Sequence, residues 1–197
     1  MNSLKDSRTK DNLMRAFAGE SQARNRYIFG ASQARGEKLA LIERVFIYTA
    51  DQEGAHAKIF YNHLQELSGQ TIFIDGGYPV DIYNNLTQTL KAAKHNEYEE
   101  YEKVYKDFAN IAKEEGFMQV AFSFEKIAEI EKTHGDRFEK FANYIETNTL
   151  FNSNKEEKWL CLNCGHIHTG NSAPGVCPVC KHPQGYFIRY EESPYEK

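Results

Sequence analysis

Several features that mark common protein classes are missing from this sequence. Its four cysteines all lie between residues 161 and 180, so none is left for a structural disulfide elsewhere. The N-terminal stretch MNSLKDSRTK lacks the apolar core of a secretory signal. No run approaches the roughly 20 apolar residues that a membrane helix needs, and no Gly-x-Gly-x-x-Gly nucleotide turn is present. We therefore expect a cytoplasmic protein that does not enter a membrane.

A basic stripe is missing as well. The formal net charge is −4, and the five Lys/Arg and five Glu of residues 151–197 cancel, so the acidic excess belongs to residues 1–150. An acidic domain without a basic stripe argues against nucleic-acid binding. Hydrophobic residues make up 41% of the chain, which is enough for a packed core and argues against disorder.

Hydrophobic residues recur at spacings of three and four, which predicts α-helices. The four predicted helices cover residues 10–35, 38–68, 85–116 and the stretch from Val120 to Ile145. The irregular segment 69–84 is long enough to cross the length of a helix, so the second and third helices should run parallel. The sequence therefore predicts a mainly α fold, a four-helix bundle with one long crossover.

Glutamates interrupt the apolar stripes of these helices. The positions concerned are Glu20, Glu53, Glu97, Glu100 and Glu131. Isolated buried charges cost several kcal/mol each, so such a cluster calls for cations. Glu53-x-x-His56 places a carboxylate and an imidazole one helical turn apart, and Glu131-x-x-His134 repeats this in the second half. With Glu20 and Glu100 the set matches a ferritin-like di-iron carboxylate bundle, and its donors suit iron or manganese.

The cysteines form two Cys-x-x-Cys pairs, which predict a tetrahedral four-thiolate metal site. The ligands would be Cys161, Cys164, Cys177 and Cys180. This pattern accepts zinc as readily as iron. We expect the bundle at residues 1–149, a linker at 150–158 and a small cysteine domain at 159–197, with Trp159, Tyr186 and Phe187 in its core.

The stretch AFAGESQARNRY, residues 16–27, together with the two Glu-x-x-His pairs, resembles the rubrerythrin family. The runs CGHIH, APGVCPVC and KHP are similar to the rubredoxin-like domain at the C-terminus of that family, although Lys181 stands where free-standing rubredoxins usually have glycine. The resemblance covers essentially the whole chain. It implies two irons in the carboxylate site and one in the four-cysteine site.

The resemblance also implies a role for each ligand of the carboxylate site. Glu53 and Glu131 would bridge the two irons, and Glu20 would be a terminal ligand of the first. Glu100 and His134 would be terminal ligands of the second iron.

Four residues are expected to take part in turnover. By the resemblance, Glu97 and His56 would exchange as ligands of the first iron with its redox state, while Tyr27 and Tyr105 would donate hydrogen bonds to site carboxylates. From the residues alone, Glu97 could instead be a hydrogen-bonding group outside the ligand set, and the tyrosines could equally be ordinary core residues. Asn96 replaces a glycine that is common before this glutamate in the family.

The resemblance implies a hydrogen-peroxide reductase active in oxidative stress defence. Electrons would come from an NAD(P)H-dependent reductase or a rubredoxin and pass through the four-cysteine iron to a neighbouring subunit, which requires a homodimer or a larger homo-oligomer. Two alternatives remain at this stage. An iron-storage protein of ferritin type would share the bundle, and a regulatory protein with a zinc ribbon would share the cysteine pattern.

Overall fold

The computed structural model of the chain describes residues 3–193. Within that range the α-helices are α1 Arg8–Gly36, α2 Ala40–His63, α3 Leu86–Glu99, α4 Tyr105–Glu114 and α5 Met118–Glu146. A π-helical turn at Glu100–Val104 joins α3 to α4, so these two helices form one rod of the bundle. Short 3-10 turns occur at Leu4–Asp6, Gln65–Leu67, Gln184–Tyr186 and Tyr190–Glu192.

The ends of the helices follow local capping chemistry. The Ser7 side chain accepts a hydrogen bond from the backbone N–H three residues on, and Asn85 does the same at the start of α3. Gly69 and Gly116 adopt the left-handed conformation that terminates a helix. Gly36, which lies just past the predicted end of the first helix at residue 35, is the last residue of α1, and Lys38 takes the positive φ of 62°.

The crossover that the sequence predicted is present. Helix α1 packs along α2, and the α3–α4 rod packs along α5. Residues 70–83, which connect the two pairs, form neither helix nor strand. The fold is thus a ferritin-like bundle followed by a small sheet domain, as predicted. None of the helices within residues 3–193 combines the length and apolar character that a membrane span requires.

The bundle has two apolar clusters separated by a polar layer. On α2, Ala50 belongs to the first cluster and Phe60 to the second. On α5, which runs the other way, Phe138 belongs to the first cluster and Ala128 to the second. Because the Glu-x-x-His pairs lie between these positions on both helices, the carboxylates and imidazoles form a layer across the middle of the bundle.

The C-terminal part contains a three-stranded antiparallel sheet with the order β2-β1-β3. The strands are β1 Asn152–Cys161, β2 Ile167–Ser172 and β3 Phe187–Arg189. Most of β1 lies within residues 150–158, the segment expected as a linker between the domains. The first part of β1 is mostly exposed and its register with β2 is irregular, so it shows no alternation of apolar residues that would reveal a strand.

This sheet packs on one end of the bundle. Leu150, Leu160 and Ile188 are buried in the same cluster as the bundle residues around Phe46. A Cβ built on Gly185 would lie 2.0 Å from the carbonyl oxygen of Lys38, so only glycine permits this close approach. The division of the chain into domains at the predicted boundaries stays a prediction.

Candidate metal centres

The predicted carboxylate and histidine residues meet in the polar layer. They come from every rod of the bundle: Glu20 from α1, Glu53 and His56 from α2, Glu97 from α3, Glu100 from the π turn, and Glu131 and His134 from α5. All of them are buried except Glu100, which is half-buried. The i, i+3 spacing explains why each histidine lies beside the glutamate of its own helix.

Glu53 and Glu131 lie between the two imidazoles. The Nδ1 atom of His56 is 2.9 Å from Oε1 of Glu131 and 3.3 Å from Oε2 of Glu53. The Nδ1 atom of His134 is 2.8 Å from Oε2 of Glu131 and 2.9 Å from Oε1 of Glu53. Each of these carboxylates therefore presents one oxygen to each imidazole, as expected of two carboxylates that bridge a pair of metal ions.

The two remaining sides of the cluster are occupied by one carboxylate each. Oε2 of Glu20 is 3.8 Å from the His56 Nδ1 atom, and Oε2 of Glu97 is 3.7 Å from the His134 Nδ1 atom. Glu97 and Glu100 also come together with Glu131 closely enough to hold a metal ion. Glu97 is thus within reach of a metal position, whereas its exchange with His56 stays a prediction.

The polar atoms of the layer fit bound cations. Among the described residues, nearly all the buried side-chain nitrogen and oxygen atoms that lack a hydrogen-bond partner belong to this cluster, the one exception being Nδ2 of Asn12. They include both carboxylate oxygens of Glu53 and of Glu131 and both ring nitrogens of His134. Since buried polar groups are almost always satisfied, these converging donor atoms indicate a metal site.

The electrostatics of the cluster give the same indication. Burial raises the pKa of Glu20 to about 8, with partial relief from His56, and burial also holds the pKa of Glu131 well above its ordinary value. Burial would lower the pKa of both histidines, but the surrounding carboxylates outweigh it and raise the value to about 10 for His56 and about 11 for His134. A site that raises imidazole pKa values this far attracts positive charge strongly, so the donor set suits two iron ions.

The π turn explains how Glu97 and Tyr105 reach the same site. In an α-helix, at 100° per residue, the step between them would leave the two side chains about 80° apart. The extra residue of the π turn removes most of this offset. Sequence reasoning treated the rod as one uninterrupted helix and missed this turn, which is a common feature of functional sites.

Both predicted tyrosines donate hydrogen bonds to site carboxylates. The Tyr27 hydroxyl donates to Oε1 of Glu97, and the Tyr105 hydroxyl donates to Oε1 of Glu20 at 2.5 Å. Both phenols are also packed in the core, at 2% and 1% exposure. Burial and the neighbouring carboxylates hold both pKa values well above the ordinary tyrosine value, so the phenols remain protonated donors. Their role in catalysis stays a prediction.

Arg137 is a neighbour of the site that the sequence did not reveal. Its Nη1 atom donates to Oγ1 of Thr49 at 2.8 Å and to Oε1 of Gln52 at 2.9 Å. It thereby ties α5, one turn beyond His134, to α2 beside Glu53. In the sequence, Arg137 could be noticed only because it lies three residues after His134, on the same helix face. A charged residue in such a position is usually solvent-exposed, so its position alone did not indicate a contact near the site.

The four cysteine sulfurs form the second candidate centre, and they all lie within 4.8 Å of one another. The Sγ atoms of Cys161 and Cys180 are 3.7 Å apart, as are those of Cys164 and Cys177. Each Cys-x-x-Cys stretch forms a tight turn that ends in a left-handed residue, Gly165 at φ 76° after Cys164 and Lys181 at φ 63° after Cys180. The turn therefore keeps its shape although Lys181 replaces the usual glycine.

The surroundings stabilise the thiolate of Cys180, whereas burial raises the pKa of the Cys161 thiol. Hydrogen bonding from the His182 backbone lowers the pKa of the Cys180 thiol to about 5, although burial opposes the shift. Trp159 and Phe187 are fully buried beside Cys161 and Cys177, while Tyr186 packs at the edge of this small core. Four convergent sulfurs in this arrangement fit a tetrahedral tetrathiolate iron.

Comparison with known proteins agrees with both centres. Residues 11–142 match the family model "Rubrerythrin", and residues 159–188 match "Rubrerythrin, rubredoxin-like domain". A rubrerythrin of Clostridium perfringens is 43% identical over 98% of this chain and 100% of its own length. A rubrerythrin of Nitratidesulfovibrio vulgaris is 42% identical over 95% and 96% of the two chains. A structure of nigerythrin in a mixed-valence state superposes with a TM-score of 0.62 at 27% identity, covering 96% of this chain and 92% of that chain.

Proposed function

Because the chain belongs to the rubrerythrin family, we propose that it is a non-haem iron peroxidase that reduces hydrogen peroxide to water. The reaction is H2O2 + 2 e− + 2 H+ → 2 H2O. The observation that carries the proposal is the presence, in one chain, of a five-carboxylate, two-histidine layer and a four-cysteine site. A ferritin-type store has no use for the second site, and a zinc-ribbon regulator has none for the first.

Each centre has its own ligands and its own task. Glu53 and Glu131 would bridge two irons, with Glu20 on one side and with Glu100 and His134 on the other. When bound, the two irons supply the electron pair that cleaves the peroxide bond, and the tetrathiolate iron supplies single electrons that return the two irons to their reduced state. Iron is the metal that fits both donor sets in a redox protein.

The chain's own residues orient the site. The Tyr27 hydroxyl fixes one oxygen of Glu97, so the other oxygen is the one free to approach a metal position. The Tyr105 hydroxyl does the same for Glu20. The exchange of Glu97 and His56 that the resemblance implies stays a prediction. Oε2 of Glu97 lies 3.7 Å from Nδ1 of His134, whereas His56 lies beside Glu20, so Glu97 would have to cross the cluster to replace His56.

The electron donor must be a separate protein. The chain has no dinucleotide-binding turn, so we propose an NAD(P)H-dependent reductase, or a rubredoxin between the two. Cys164 is exposed whereas Cys161 and Cys177 are buried, so electrons would enter on the Cys164 side of the four-cysteine site.

A second copy of the chain would bring the two kinds of centre closer together. The Nη1 atom of Arg44 donates to the backbone of Leu162, next to Cys161. The step of nine residues along α2 from Arg44 to Glu53 covers about 14 Å of helix axis, so the two centres of one chain lie well apart. The crossover and α1 expose large apolar side chains, with Phe73 at 89%, Ile82 at 86% and Phe29 at 67%. We propose that a homodimer covers the part of this surface around Phe29 and Ile82, which line a groove that does not include Tyr78.

The primary test uses full-length protein loaded with iron under anaerobic conditions. Chemically reduced protein should consume equimolar hydrogen peroxide per carboxylate site, with return of the oxidised spectrum. Protein loaded with zinc is the control and should consume none. If reduced, iron-loaded protein leaves peroxide untouched, or deposits a ferric mineral on repeated iron addition, the peroxidase proposal is wrong.

The route between subunits has its own test. Cys177→Ser removes a thiolate ligand, and Glu131→Ala removes a bridging carboxylate, so each variant alone should lack sustained turnover. Coexpressed chains should regain about half of the wild-type activity per mixed dimer, because one intact route crosses the interface. No recovery in verified mixed dimers would contradict transfer between subunits.

A further inference from the structure

A cavity of about 220 Å3 leads from the surface to the carboxylate layer. It lies between α1, the α3–α4 rod and the crossover. Tyr78 of the crossover stands at its outer side with 40% exposure, whereas Tyr105, at 1% exposure, marks its inner end. Glu100 also lines the cavity, so a small molecule that enters here arrives directly at candidate iron ligands.

Gly19 lines this route between Tyr78 and Glu100. A Cβ built on Gly19 would lie 3.9 Å from Oε1 of Glu100 and 3.9 Å from Cε1 of the Tyr78 ring. Those are ordinary contact distances, so neither a clash nor a left-handed φ demands glycine here, although glycine weakens a helix relative to alanine. What glycine does provide is open space between the tyrosine ring and the carboxylate.

The size of that opening can be bounded from the two distances. The two atoms can be separated by at most twice 3.9 Å, which is about 7.8 Å. Non-bonded heavy atoms sit about 3.5–4.0 Å apart at contact. The opening therefore admits a group one heavy atom thick, such as the O–O unit of hydrogen peroxide, and excludes a branched alkyl group.

The outer wall of the opening is held in place on both sides. Before Tyr78, the Nη2 atom of Arg15 contacts Oδ1 of Asp75 at 2.6 Å. After it, the Nη1 atom of Arg26 contacts Oδ2 of Asp81 at 3.0 Å. The Tyr78 hydroxyl itself donates to the carbonyl oxygen of Arg15 at 3.2 Å. The ring is thus fixed against α1 by contacts on each side and at its tip.

We propose that Tyr78 and Gly19 select hydrogen peroxide over alkyl hydroperoxides by limiting what passes between the tyrosine ring and the Glu100 carboxylate. The inference rests on the proposed peroxidase function and adds its substrate range. Tyr78 and Gly19 are specificity-determining residues, since neither supplies a ligand or a proton.

The test compares kcat/KM for hydrogen peroxide and for tert-butyl hydroperoxide in iron-loaded, full-length protein. Tyr78→Ala removes the ring and should raise the preference for the alkyl substrate at least about tenfold. Gly19→Ala places a methyl group in the opening and should lower kcat/KM for hydrogen peroxide about tenfold. Tyr78→Phe keeps the ring and should retain the wild-type preference.

Two matched controls separate the opening from general effects. Tyr83 lies in the same crossover with 41% exposure but does not line the cavity, so Tyr83→Ala should keep the wild-type preference. Gly54 is a helical glycine beside Glu53, as Gly19 is beside Glu20, and the nearest contacts of its Cβ would be with the Arg24 side chain at 3.5 Å. Gly54→Ala should therefore leave both substrates unaffected. A change in either control equal to that in its partner variant would overturn the proposal.

A second readout does not depend on peroxide reduction. The rate at which azide changes the visible spectrum of the oxidised, iron-loaded protein reports access to the site. It should fall about tenfold in Gly19→Ala and should not fall in Tyr78→Ala. Unchanged substrate preference in Tyr78→Ala and unchanged azide rates in Gly19→Ala, at full iron content, would refute the selection mechanism. If the wild-type protein reduces no peroxide, the proposed function fails, and the azide rates alone decide on the opening.

Discussion

Leu160 tests whether the sheet and the bundle unfold as one unit. It lies on β1 opposite Ile167 of β2 and Ile188 of β3, and its side chain is buried to 6% exposure in the cluster that also contains Phe46. Leu160→Ala should cost about 2–5 kcal/mol through lost burial and the cavity left behind. For a chain of this size, a loss of about 3 kcal/mol lowers Tm by about 6–12 °C.

The measurement is thermal unfolding of iron-loaded protein followed by two signals. Circular dichroism at 222 nm reports the helices, and the iron–thiolate absorbance reports the sheet domain. Both transitions should move together in Leu160→Ala. The matched control is Ile167→Ala, which pairs with Leu160 in the sheet but is 44% exposed and should shift either signal by only a few degrees. If the helices of Leu160→Ala melt at the wild-type temperature while the thiolate signal is lost early, the reasoning is wrong and the sheet is an independent domain.

Three further predictions address single residues. Glu97→Ala should keep an iron content close to wild type, since the bridging carboxylates remain, but it should slow peroxide turnover about tenfold or more. Wild-type turnover of this variant in steady-state assays would reject the exchanging role of Glu97. Cys177→Ser should abolish the iron–thiolate colour and sustained turnover, while stopped-flow oxidation of pre-reduced protein by equimolar peroxide continues at a near-normal rate, because the bundle contains no cysteine. Although burial favours a higher pKa, hydrogen bonds from Thr9 and Arg8 lower the pKa of Glu115 below its ordinary value. The ionised carboxylate therefore stabilises the start of α1 at any pH above the ordinary glutamate pKa. This stabilisation is lost as the pH falls through the lowered pKa of the native state. Glu115→Gln should therefore cost about 1–2 kcal/mol in urea unfolding at pH 7 and progressively less towards acid pH; a cost that does not change with pH would contradict this.

The helices and the position of the carboxylate layer could be predicted because both depend on short-range spacing. Glu53 and His56 must share a face of any helix, and so must Glu131 and His134. The apolar residues on either side of each pair show that this face is inside. Two such pairs, with few cations on the stripes to balance them, leave metal binding as the physically sensible solution, and the structure places all four side chains together.

Other parts of the site had no periodic signature. The π turn at 100–104 adds one residue to a helix, and the apolar pattern on each side tolerates the shift. The contacts that hold the crossover join Asp75 and Asp81 to arginines of α1 across a loop, so no fixed spacing announces them. The early part of β1 is an exposed polar strand defined by backbone pairing with β2, which amino-acid alternation does not report.

The arrangement separates stability from chemistry within one bundle. A layer of buried carboxylates is costly, at several kcal/mol for each unpaired charge, so the helices need apolar contacts elsewhere. The clusters around Phe46 and Phe60 provide them on both sides of the layer. A rigid layer between two packed cores holds its side chains in fixed positions, but it also closes the bundle to solvent. Solvent can reach the layer on the crossover side, because Gly19 leaves a gap in α1 and the cavity beneath Tyr78 extends to Glu100. Access therefore depends on small features of α1 and the crossover, which can vary without disturbing either core.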